Sequence, residues 1–376
     1  MGHTAYIDTM VERFGLGDEE KCPATPLPLM SGSDESLKKN IGKTGDPKLE
    51  LWIAQNPSFP KLIGSLIHAM VHTRVDISYA VSVLSRAMSR PEPHYYKACR
   101  HLLLYLKGTR DLGLMYERTR MLRQGKHHVT AAVDSSFADC EFTARSTSGF
   151  VVWFGGSPVV WECKRQPLVT LSTMESEYVA ASRCVSEIRF INKLTDWVGL
   201  DRQVRSVHED NAACIAISAN PVHKQRSKHI AVKYHNVRDA CKGGNPEVNN
   251  GRPEIALSQV WTEHQVADIF TKSLSRGTFE RFRSCLMGSP RNPMVHFDEM
   301  MENHQRKESA VIQNVSSKSC CSCCQISTDT PGYVKNHKIH GGHCWPKYVV
   351  PFRDDCPIKC GMVDGWFDTR DMGFVI

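Results

Sequence analysis

The chain has 376 residues, enough for two or three domains, and its 41% hydrophobic and 23% charged residues are typical of a soluble globular protein. A net charge of +7 favours a polyanionic partner, and no apolar run approaches the roughly 20 residues that cross a bilayer. The chain has 15 cysteines and shows no secretory signal, a combination that is typical of a reduced, intracellular protein. We therefore expect no membrane span and an intracellular protein, located in the cytoplasm or also in the nucleus.

Amphipathic patterns predict helices in the first part of the chain. Residues 4–14 carry an apolar stripe that stops at Gly15. Residues 22–60 are rich in Pro, Gly, Ser and Lys, which predicts a loop or linker. Three further helical patterns lie at residues 62–70, 77–88 and 95–107. A short strand is predicted at residues 112–116, and the basic, polar residues 117–127 are predicted to be a boundary.

Strand and helix patterns alternate after this boundary and predict an α/β domain over residues 128–288. Strands are predicted at residues 128–135, 148–154, 158–163, 204–209 and 255–261. Helices are predicted at residues 174–198, directly after Asp210, at 229–240, and from about Gln265 and Thr278 onward. We expect a mixed five-stranded sheet with flanking helices, preceded by a helical segment. Residues 289–376 show little periodicity and are predicted to be an unrelated, mostly irregular and disordered tail.

Four acidic residues occupy strand ends and helix starts of this domain: Asp134, Glu177, Asp210 and Asp268. Asp134 ends an apolar run, and Asp210 follows a strand pattern. Glu177 and Asp268 lie near helix starts. Carboxylates that converge at such positions repel one another unless cations lie between them. Hard divalent cations with oxygen ligands, most naturally Mg²⁺, meet that need.

Glu177 has a rival in Glu175, and the helix pattern separates the two. Ser172 and Glu175 fit a capping box, so Glu175 is predicted to satisfy backbone donors at the start of the helix. Glu177 instead shares the apolar face of the helix with Ala181, Cys184, Ile188 and Ile191. A carboxylate on that face needs a partner, and a metal ion supplies one.

Four sequence blocks stand in one order over roughly 150 residues: RSTSG at 145–149, LSTMESEY at 171–178, EDNA at 209–212 and ADIFTK at 267–272. In order and spacing they resemble the ribonuclease H domain of copia-type LTR retrotransposon polyproteins. The resemblance implies a ribonuclease H-like fold and an endonuclease that hydrolyses the RNA strand of an RNA–DNA hybrid. It also implies two Mg²⁺ ions, for which Mn²⁺ can substitute.

The resemblance assigns catalytic and metal-binding roles to Asp134, Glu177, Asp210 and Asp268. Asp134 would bridge both ions and Asp268 would hold the second. Asp139 is the alternative to Asp134. The family often has a second acidic residue two positions after the first, but in this chain that position is Ser136. Glu209 competes with Asp210; strand neighbours point to opposite faces, so only one of them is expected to join the cluster.

Earlier blocks resemble the C-terminal end of a copia-type reverse transcriptase: GSL at 64–66, DISYA at 76–80 and YLKGT at 105–109. Residues 1–118 are therefore expected to be a helical remnant of that enzyme and its connection. No Tyr-X-Asp-Asp motif occurs in the chain, so no polymerase activity is expected from it alone. The rest of such a polyprotein is an expected partner. The alternative is a catalytically inactive, nucleic-acid-binding remnant.

The stretch from His223 to Arg238 contains no acidic residue. Its basic side chains predict contacts with nucleic-acid phosphates, at Lys224, Arg226, Lys228, His229, Lys233, His235 and Arg238. A solvated basic surface is the alternative, and Ala231 stands where the family commonly has Asp. His264 precedes Asp268 by fewer residues than the histidine that assists product release in some ribonucleases H. We therefore expect it to be a surface histidine.

A possible zinc finger lies in the tail. Two cysteines and two histidines have the required spacing, at Cys321, Cys324, His337 and His343. Neighbouring cysteines and histidines make a chance match easy, and Thr328 replaces the finger's usual Phe. No zinc site is expected.

Overall fold

A mixed five-stranded sheet forms the centre of the structure, which is a computed structural model. The strands are β1 (Val129–Ser136), β2 (Thr147–Phe154), β3 (Ser157–Arg165), β4 (Arg205–Glu209) and β5 (Ile255–Gln259). They lie in the order β3-β2-β1-β4-β5. The first three pair antiparallel, whereas β4 pairs parallel with both β1 and β5. The mixed five-stranded sheet with flanking helices that the sequence predicts is confirmed.

The structure describes residues 1–16, 21–30, 34–41, 45, 47–116, 129–140, 142–200, 205–219, 231–242, 253–289, 294, 297, 337–340 and 343–346. The chain divides into two units, Met1–Glu299 and Met300–Ile376. In the second unit the described residues form an antiparallel hairpin of β6 (His337–His340) and β7 (His343–Pro346). Cys321 and Cys324 of the zinc-finger pattern lie outside the described residues.

The turn between β2 and β3 follows from two adjacent glycines. Gly155 and Gly156 have φ values of 58° and 80°, which residues with a side chain rarely adopt. Positive φ at both central residues is the requirement of a two-residue hairpin turn that matches the twist of its strands. The two glycines place Phe154 opposite Ser157, and the pairing of β2 with β3 shifts by one residue between Val152 and Trp153.

Helices precede the sheet and cover its faces. In the first part of the chain they are α1 (Thr4–Arg13), α2 (Asp34–Ile41), α3 (Pro47–Gln55), α4 (Phe59–His72), α5 (Ser78–Ser85) and α6 (Pro93–Gly108). A 3-10 turn, Val75–Ile77, precedes α5. Later helices are α7 (Thr173–Trp197), α8 (Ala212–Ala219), α9 (Ala231–Lys242) and α10 (Arg276–Ser284). No helix among the described residues is long and apolar enough to span a membrane.

The linker predicted at residues 22–60 is wrong, because α2 and α3 lie within it. Leu37 and Leu49 are buried, and so is Trp52, whose indole donates a 2.7 Å hydrogen bond to the carbonyl of Phe14. Leu49 and Trp52 stand three residues apart, as on one face of a helix, but this pattern is short and lies within a Pro-, Gly-, Ser- and Lys-rich stretch that predicts a loop. Burial against neighbouring helices, at about 1.5–3 kcal/mol for each large side chain, outweighs that local composition.

The core beneath the sheet lies against α7. Side chains that alternate along β1 and β2 face this helix, namely Val129, Ala131, Val133, Phe150 and Val152. Ala181, Cys184 and Ile188 of α7 belong to the same buried cluster. The helix face predicted from the sequence is therefore the face that packs, and Glu177 lies on it.

A buried network joins the first helices to α10. Arg74 and Asp76 form an ion pair with no side-chain exposure, at 2.8 Å. Tyr105 donates a 2.6 Å hydrogen bond to Oδ2 of Asp76, and Arg283 of α10 donates to the Tyr105 hydroxyl at 3.0 Å. Burial opposes ionisation of Asp76, but the charge of Arg74 prevails and lowers its pKa. The DISYA block thus supplies a structural anchor.

Backbone bridges also connect the ends of the first unit. The strand predicted at residues 112–116 is reduced to isolated bridges from Gly113 to Gly2 and to Gly288. Beyond Gly288, Met294 and Phe297 are buried. The ring of Phe297 stacks on that of Trp153, with centroids 4.9 Å apart. Packed residues thus continue into the region that the sequence predicts to be tail.

Candidate metal centre

Asp134 lies near the carboxyl end of the central strand. It is 2% exposed and stands opposite Gly149 of β2. On its other side β1 runs parallel to β4, so the carboxyl ends of both strands meet at one edge. Asp210 directly follows β4 and is therefore brought to the same edge. The sheet topology alone places these two carboxylates together.

Glu177 reaches this edge from the first turns of α7. Ser172 caps the helix and accepts a hydrogen bond from the Glu175 amide at 3.2 Å. In return, Oε2 of Glu175 accepts a hydrogen bond from the Leu171 amide at 2.8 Å. The predicted capping role of Glu175 is confirmed, with the difference that its side chain reaches one residue beyond the cap. With the helix start fixed, Glu177 is turned toward the sheet.

The three residues form a group that fits a metal ion. Asp134, Glu177 and Asp210 each offer a carboxylate oxygen, and these atoms all lie within 4.8 Å of one another. Glu177 is 6% exposed, and its Oε2 is buried with no hydrogen-bond partner among the residues that the structure describes. An orphaned buried oxygen in an all-carboxylate group is suited to a hard divalent cation such as Mg²⁺ or Mn²⁺. The donor set therefore fits the predicted cofactor.

The electrostatics of the group point the same way. Burial, then the charges of Glu209 and Asp134, raise the pKa of Glu177 well above its usual value. Burial and the charge of Asp134 also raise the pKa of Asp210, against a hydrogen bond from Thr262 at 2.9 Å. A bound cation would reverse these effects, because it favours the ionised form of each carboxyl group.

Glu209 adds a further buried carboxyl group, which the sequence reasoning excluded. Strand alternation was expected to admit only Glu209 or Asp210, but β4 ends at Glu209, so Asp210 is not bound by that alternation. The Glu209 side chain is fully buried, and one oxygen accepts the Asn211 amide at 3.1 Å. Burial is the main cause of its raised pKa, and its charge acts on Glu177. As expected, Asp210 and not Glu209 belongs to the group that could hold an ion, while the charge of Glu209 acts on that group from beside it.

Asp268 lies beside the group of three and has a cation of its own. It belongs to a 3-10 helix, Val266–Phe270, that begins after Gln265. Lys272 Nζ lies 2.8 Å from Oδ1 of Asp268 and 4.0 Å from Oδ2 of Asp134. Thr271, between them, donates a hydrogen bond from its hydroxyl to Oδ2 of Asp134. No role was predicted for Thr271 or Lys272, although both stand in the ADIFTK block.

The charges of Asp268 and Lys272 depend on each other. Burial and the charge of Asp134 raise the pKa of Asp268 to about 8, although Lys272 opposes this shift. Burial opposes the positive charge of Lys272, but Asp134 and Asp268 prevail and raise its pKa. Lys272 therefore stays protonated beside the acidic group.

Gly149 allows the Asp268 segment to lie over the sheet. A Cβ atom at Gly149 would lie 2.6 Å from Cβ of Phe270 and 2.7 Å from Cγ2 of Thr271. Side chains do not approach so closely, so only glycine permits this packing. The glycine of the RSTSG block is thus tied to the position of Thr271, and through it to Asp134.

The remaining sequence predictions fall outside the cluster. The Thr147 hydroxyl lies 2.9 Å from each carboxylate oxygen of Asp139 and donates a hydrogen bond to this group. Arg86 lies 3.7 Å from Oδ2 of Asp139. These contacts indicate a structural role for Asp139. The side chain of His264 is 11% exposed, so the expectation of a surface histidine is wrong.

Most of the predicted phosphate-binding stretch lies outside the described residues, namely Lys224, Arg226, Lys228 and His229. Lys233 and His235 belong to α9. Arg238 is partly buried, and its Nε has no hydrogen-bond partner.

Comparison with known proteins identifies Pol polyproteins of plant transposons as relatives in sequence. The chain is 30% identical over 275 residues to the retrovirus-related Pol polyprotein from transposon TNT 1-94 of Nicotiana tabacum, covering 73% of this chain and 19% of that protein. It is 33% identical over 244 residues to the Pol polyprotein from transposon RE1 of Arabidopsis thaliana, covering 63% and 16%. The chain thus spans less than a fifth of these polyproteins.

A shorter relative is covered more fully. The chain is 32% identical over 188 residues to an uncharacterised mitochondrial protein of Arabidopsis thaliana, covering 50% of this chain and 70% of that protein. Among solved structures, LC11-RNase H1 isolated from compost is 15% identical and covers 39% of this chain and 93% of its own, with a TM-score of 0.29. No family model matches the chain. On the strength of its sequence relatives, the chain belongs to the family of retrovirus-related Pol polyproteins of copia-type transposons.

Proposed function

We propose that the chain is a retrotransposon ribonuclease H, a divalent-cation-dependent endonuclease that hydrolyses the RNA strand of RNA–DNA hybrids. The observation that carries this proposal is the group of Asp134, Glu177 and Asp210, whose ligand oxygens lie within 4.8 Å of one another. Buried carboxylates in such a group cost stability unless they have a function that requires them. The family relationship supplies the substrate class.

In this proposal Asp134, Glu177 and Asp210 hold Mg²⁺, and Mn²⁺ can replace it. When bound, the cation activates water and stabilises the charge that develops on the phosphate and the leaving oxygen. Asp134 is fixed for this role by the Thr271 hydroxyl, and Asp210 by the 2.9 Å hydrogen bond from Thr262. Asp268 completes the proposed catalytic set and acts next to Asp134.

The proposed substrate is recognised by shape and charge. A hybrid presents 2′-hydroxyl groups in its minor groove, and these distinguish the strand to be cut from DNA. The basic residues proposed to contact the phosphates are Lys224, Arg226, Lys228, His229, Lys233, His235 and Arg238. The proposed partners are the hybrid and the remainder of a Pol polyprotein. We further propose an intracellular location, which suits the eight free cysteines among the described residues.

A cleavage assay with four labelled substrates tests the function. The full chain is incubated with an RNA–DNA hybrid, duplex RNA, duplex DNA and single-stranded RNA, each with Mg²⁺ or with EDTA. We expect internal cuts in the RNA strand of the hybrid alone, and only with Mg²⁺. Intact hybrid in Mg²⁺, together with retained binding in a gel-shift assay, would instead identify an inactive nucleic-acid-binding remnant.

A further inference from the structure

Lys272 places a positive charge inside the acidic site. Its Nζ lies 2.8 Å from Oδ1 of Asp268 and 4.0 Å from Oδ2 of Asp134. The backbone amide of Lys272 also donates to the Asp268 carbonyl at 3.1 Å, which closes one helical turn between them. This turn brings the two side chains to the same side, so the ion pair follows from local geometry.

The surroundings hold Lys272 in that position. Thr271 donates its hydroxyl to Oδ2 of Asp134 and contacts the Asp268 carbonyl at 3.3 Å. Gln265, at the start of the segment, donates from Nε2 to the Val133 carbonyl at 2.9 Å. Both ends of the segment are thereby attached to β1, which places the backbone of Lys272 beside the acidic group, while its side chain is 41% exposed and reaches Asp268 from the solvent side.

Among the described residues, the group close enough to share one ion contains Asp134, Glu177 and Asp210 and omits Asp268. Asp268 is 5% exposed and meets an ammonium group at contact distance. A second divalent cation between Asp134 and Asp268 would have to enter the space beside Lys272. Like charges at this separation, beside two buried carboxylates, repel each other.

We propose that Lys272 takes the place of a second divalent cation in the protein free of nucleic acid, so that the acidic site binds one ion. Asp134, Glu177 and Asp210 hold this ion, and in the protein free of nucleic acid the Asp268 carboxylate anchors the ammonium group. This inference rests on the proposed function for the presence of a divalent cation. It differs in the number of ions, because the family resemblance implies two.

Counting Mn²⁺ ions tests the inference without any catalysis. Free Mn²⁺ is measured by electron paramagnetic resonance during titration of the full chain in the absence of nucleic acid. The D134N variant, titrated in parallel, gives the background from the rest of the chain. We expect one ion above background in the wild type and in K272R, which keeps the charge. We expect two in K272M, with the second dissociation constant within about tenfold of the first.

A double variant separates charge from structure. D268N/K272M removes both members of the ion pair and leaves no net change of charge at the position. We expect it to bind one ion, since the carboxylate that would hold the second is gone. Melting curves show whether each variant is folded. If K272M does not fold, the wild-type count and the double variant still decide the question.

Two results would overturn the inference: two ions above background in the wild type, or one ion with unchanged affinity in folded K272M. Neither depends on hydrolysis. A wild type that binds one ion but cuts no hybrid would refute the proposed function and leave the role of Lys272 standing. A wild type that binds two ions before substrate is added and then cuts hybrids would support the proposed function and refute the role of Lys272.

Discussion

Thr271 donates a hydrogen bond from its hydroxyl to Oδ2 of Asp134, and this contact joins the segment after β5 to the central strand. Gln265 makes the second attachment, through the Val133 carbonyl at 2.9 Å. Asp268 and Lys272 reach the acidic group because the segment is held at both ends. The arrangement of the carboxylates therefore depends on residues that are not acidic themselves.

Gly149→Ala should damage this arrangement. The new methyl group would lie 2.6 Å from Cβ of Phe270 and 2.7 Å from Cγ2 of Thr271, so the segment must move. We expect a loss of about 1–3 kcal/mol in the free energy of unfolding, typical of overpacking a core. We also expect weaker Mn²⁺ binding, because Asp134 loses its contact with Thr271. Urea unfolding and Mn²⁺ titration measure the two effects.

Gly64→Ala is the matched control. Gly64 lies within α4, and a Cβ atom there would meet nothing within 4 Å. Alanine in a helix interior is favoured over glycine by roughly 0.5–1 kcal/mol, so this variant should be slightly more stable. If both variants unfold like the wild type and bind Mn²⁺ equally, close packing at Gly149 is not what positions the segment.

Glu175→Gln and Glu177→Gln should differ in effect although the positions are two residues apart. Glutamine at 175 can still accept the Leu171 amide, so stability should change by less than about 1 kcal/mol and cleavage should persist. Glutamine at 177 removes a buried charge that Glu209 and Asp134 oppose. It should stabilise the ion-free protein, weaken cation binding and abolish cleavage.

Melting curves and cleavage rates for both variants, with and without Mg²⁺, distinguish these effects. Loss of cleavage in Glu175→Gln and normal cleavage in Glu177→Gln would exchange the two roles.

The stability of the ion-free protein should fall as pH rises. Burial and Asp134 raise the pKa of Asp268 to about 8, and burial raises that of Glu177. A carboxyl group whose pKa is higher in the folded than in the unfolded state stabilises the fold below its unfolded pKa of about 4. That contribution is lost as pH rises through the folded value. In EDTA we expect the free energy of unfolding to decline between about pH 4 and pH 8.

Saturating Mg²⁺ should flatten this dependence, since the cation favours the ionised carboxylates. Asp268→Asn should also flatten it in EDTA, by removing one of the titrating groups. Chemical unfolding at several pH values gives the slopes. Equal slopes in EDTA and in Mg²⁺ would show that the acidic group does not control the pH dependence.

Truncation should separate packed residues from the tail. A chain ending at Glu299 keeps Phe297, which stacks on Trp153 with centroids 4.9 Å apart. A chain ending at Gly288 loses that ring and also buried Met294. We expect the shorter chain to melt several degrees lower, because a buried aromatic side chain contributes about 1.5–3 kcal/mol. Equal melting temperatures would show that residues 289–299 do not stabilise the fold.

Regular patterns in the sequence made much of the fold predictable. The alternation in β1 and β2, the paired glycines of their hairpin with β3, and the apolar face of α7 each specify one local structure. Helices α2 and α3 could not be found in this way. Their few buried side chains contact other helices, and the surrounding composition resembles that of a loop.

The candidate site was predictable only in part. Asp134, Glu177 and Asp210 stand at positions that topology brings together, and the sequence indicates them. Glu209 stands outside this group, as expected, but the sequence did not indicate that its side chain is fully buried and that its charge raises the pKa of Glu177. Lys272 was missed because a lysine one turn after an aspartate is common on helix surfaces. Only the three-dimensional structure shows that this ion pair is turned toward Asp134.

Cleavage of an RNA–DNA hybrid by Asp134→Asn, prepared in parallel with the wild type, tests the central claim most directly. The amide is nearly the same size as the carboxylate but cannot hold a divalent cation, so the fold should persist while the site loses its ion. Melting curves in EDTA confirm the fold. With Mg²⁺ we predict internal cuts in the RNA strand by the wild type, and a rate lower by at least about 1000-fold in the variant. Equal Mg²⁺-dependent cleavage by a folded Asp134→Asn protein would contradict the account.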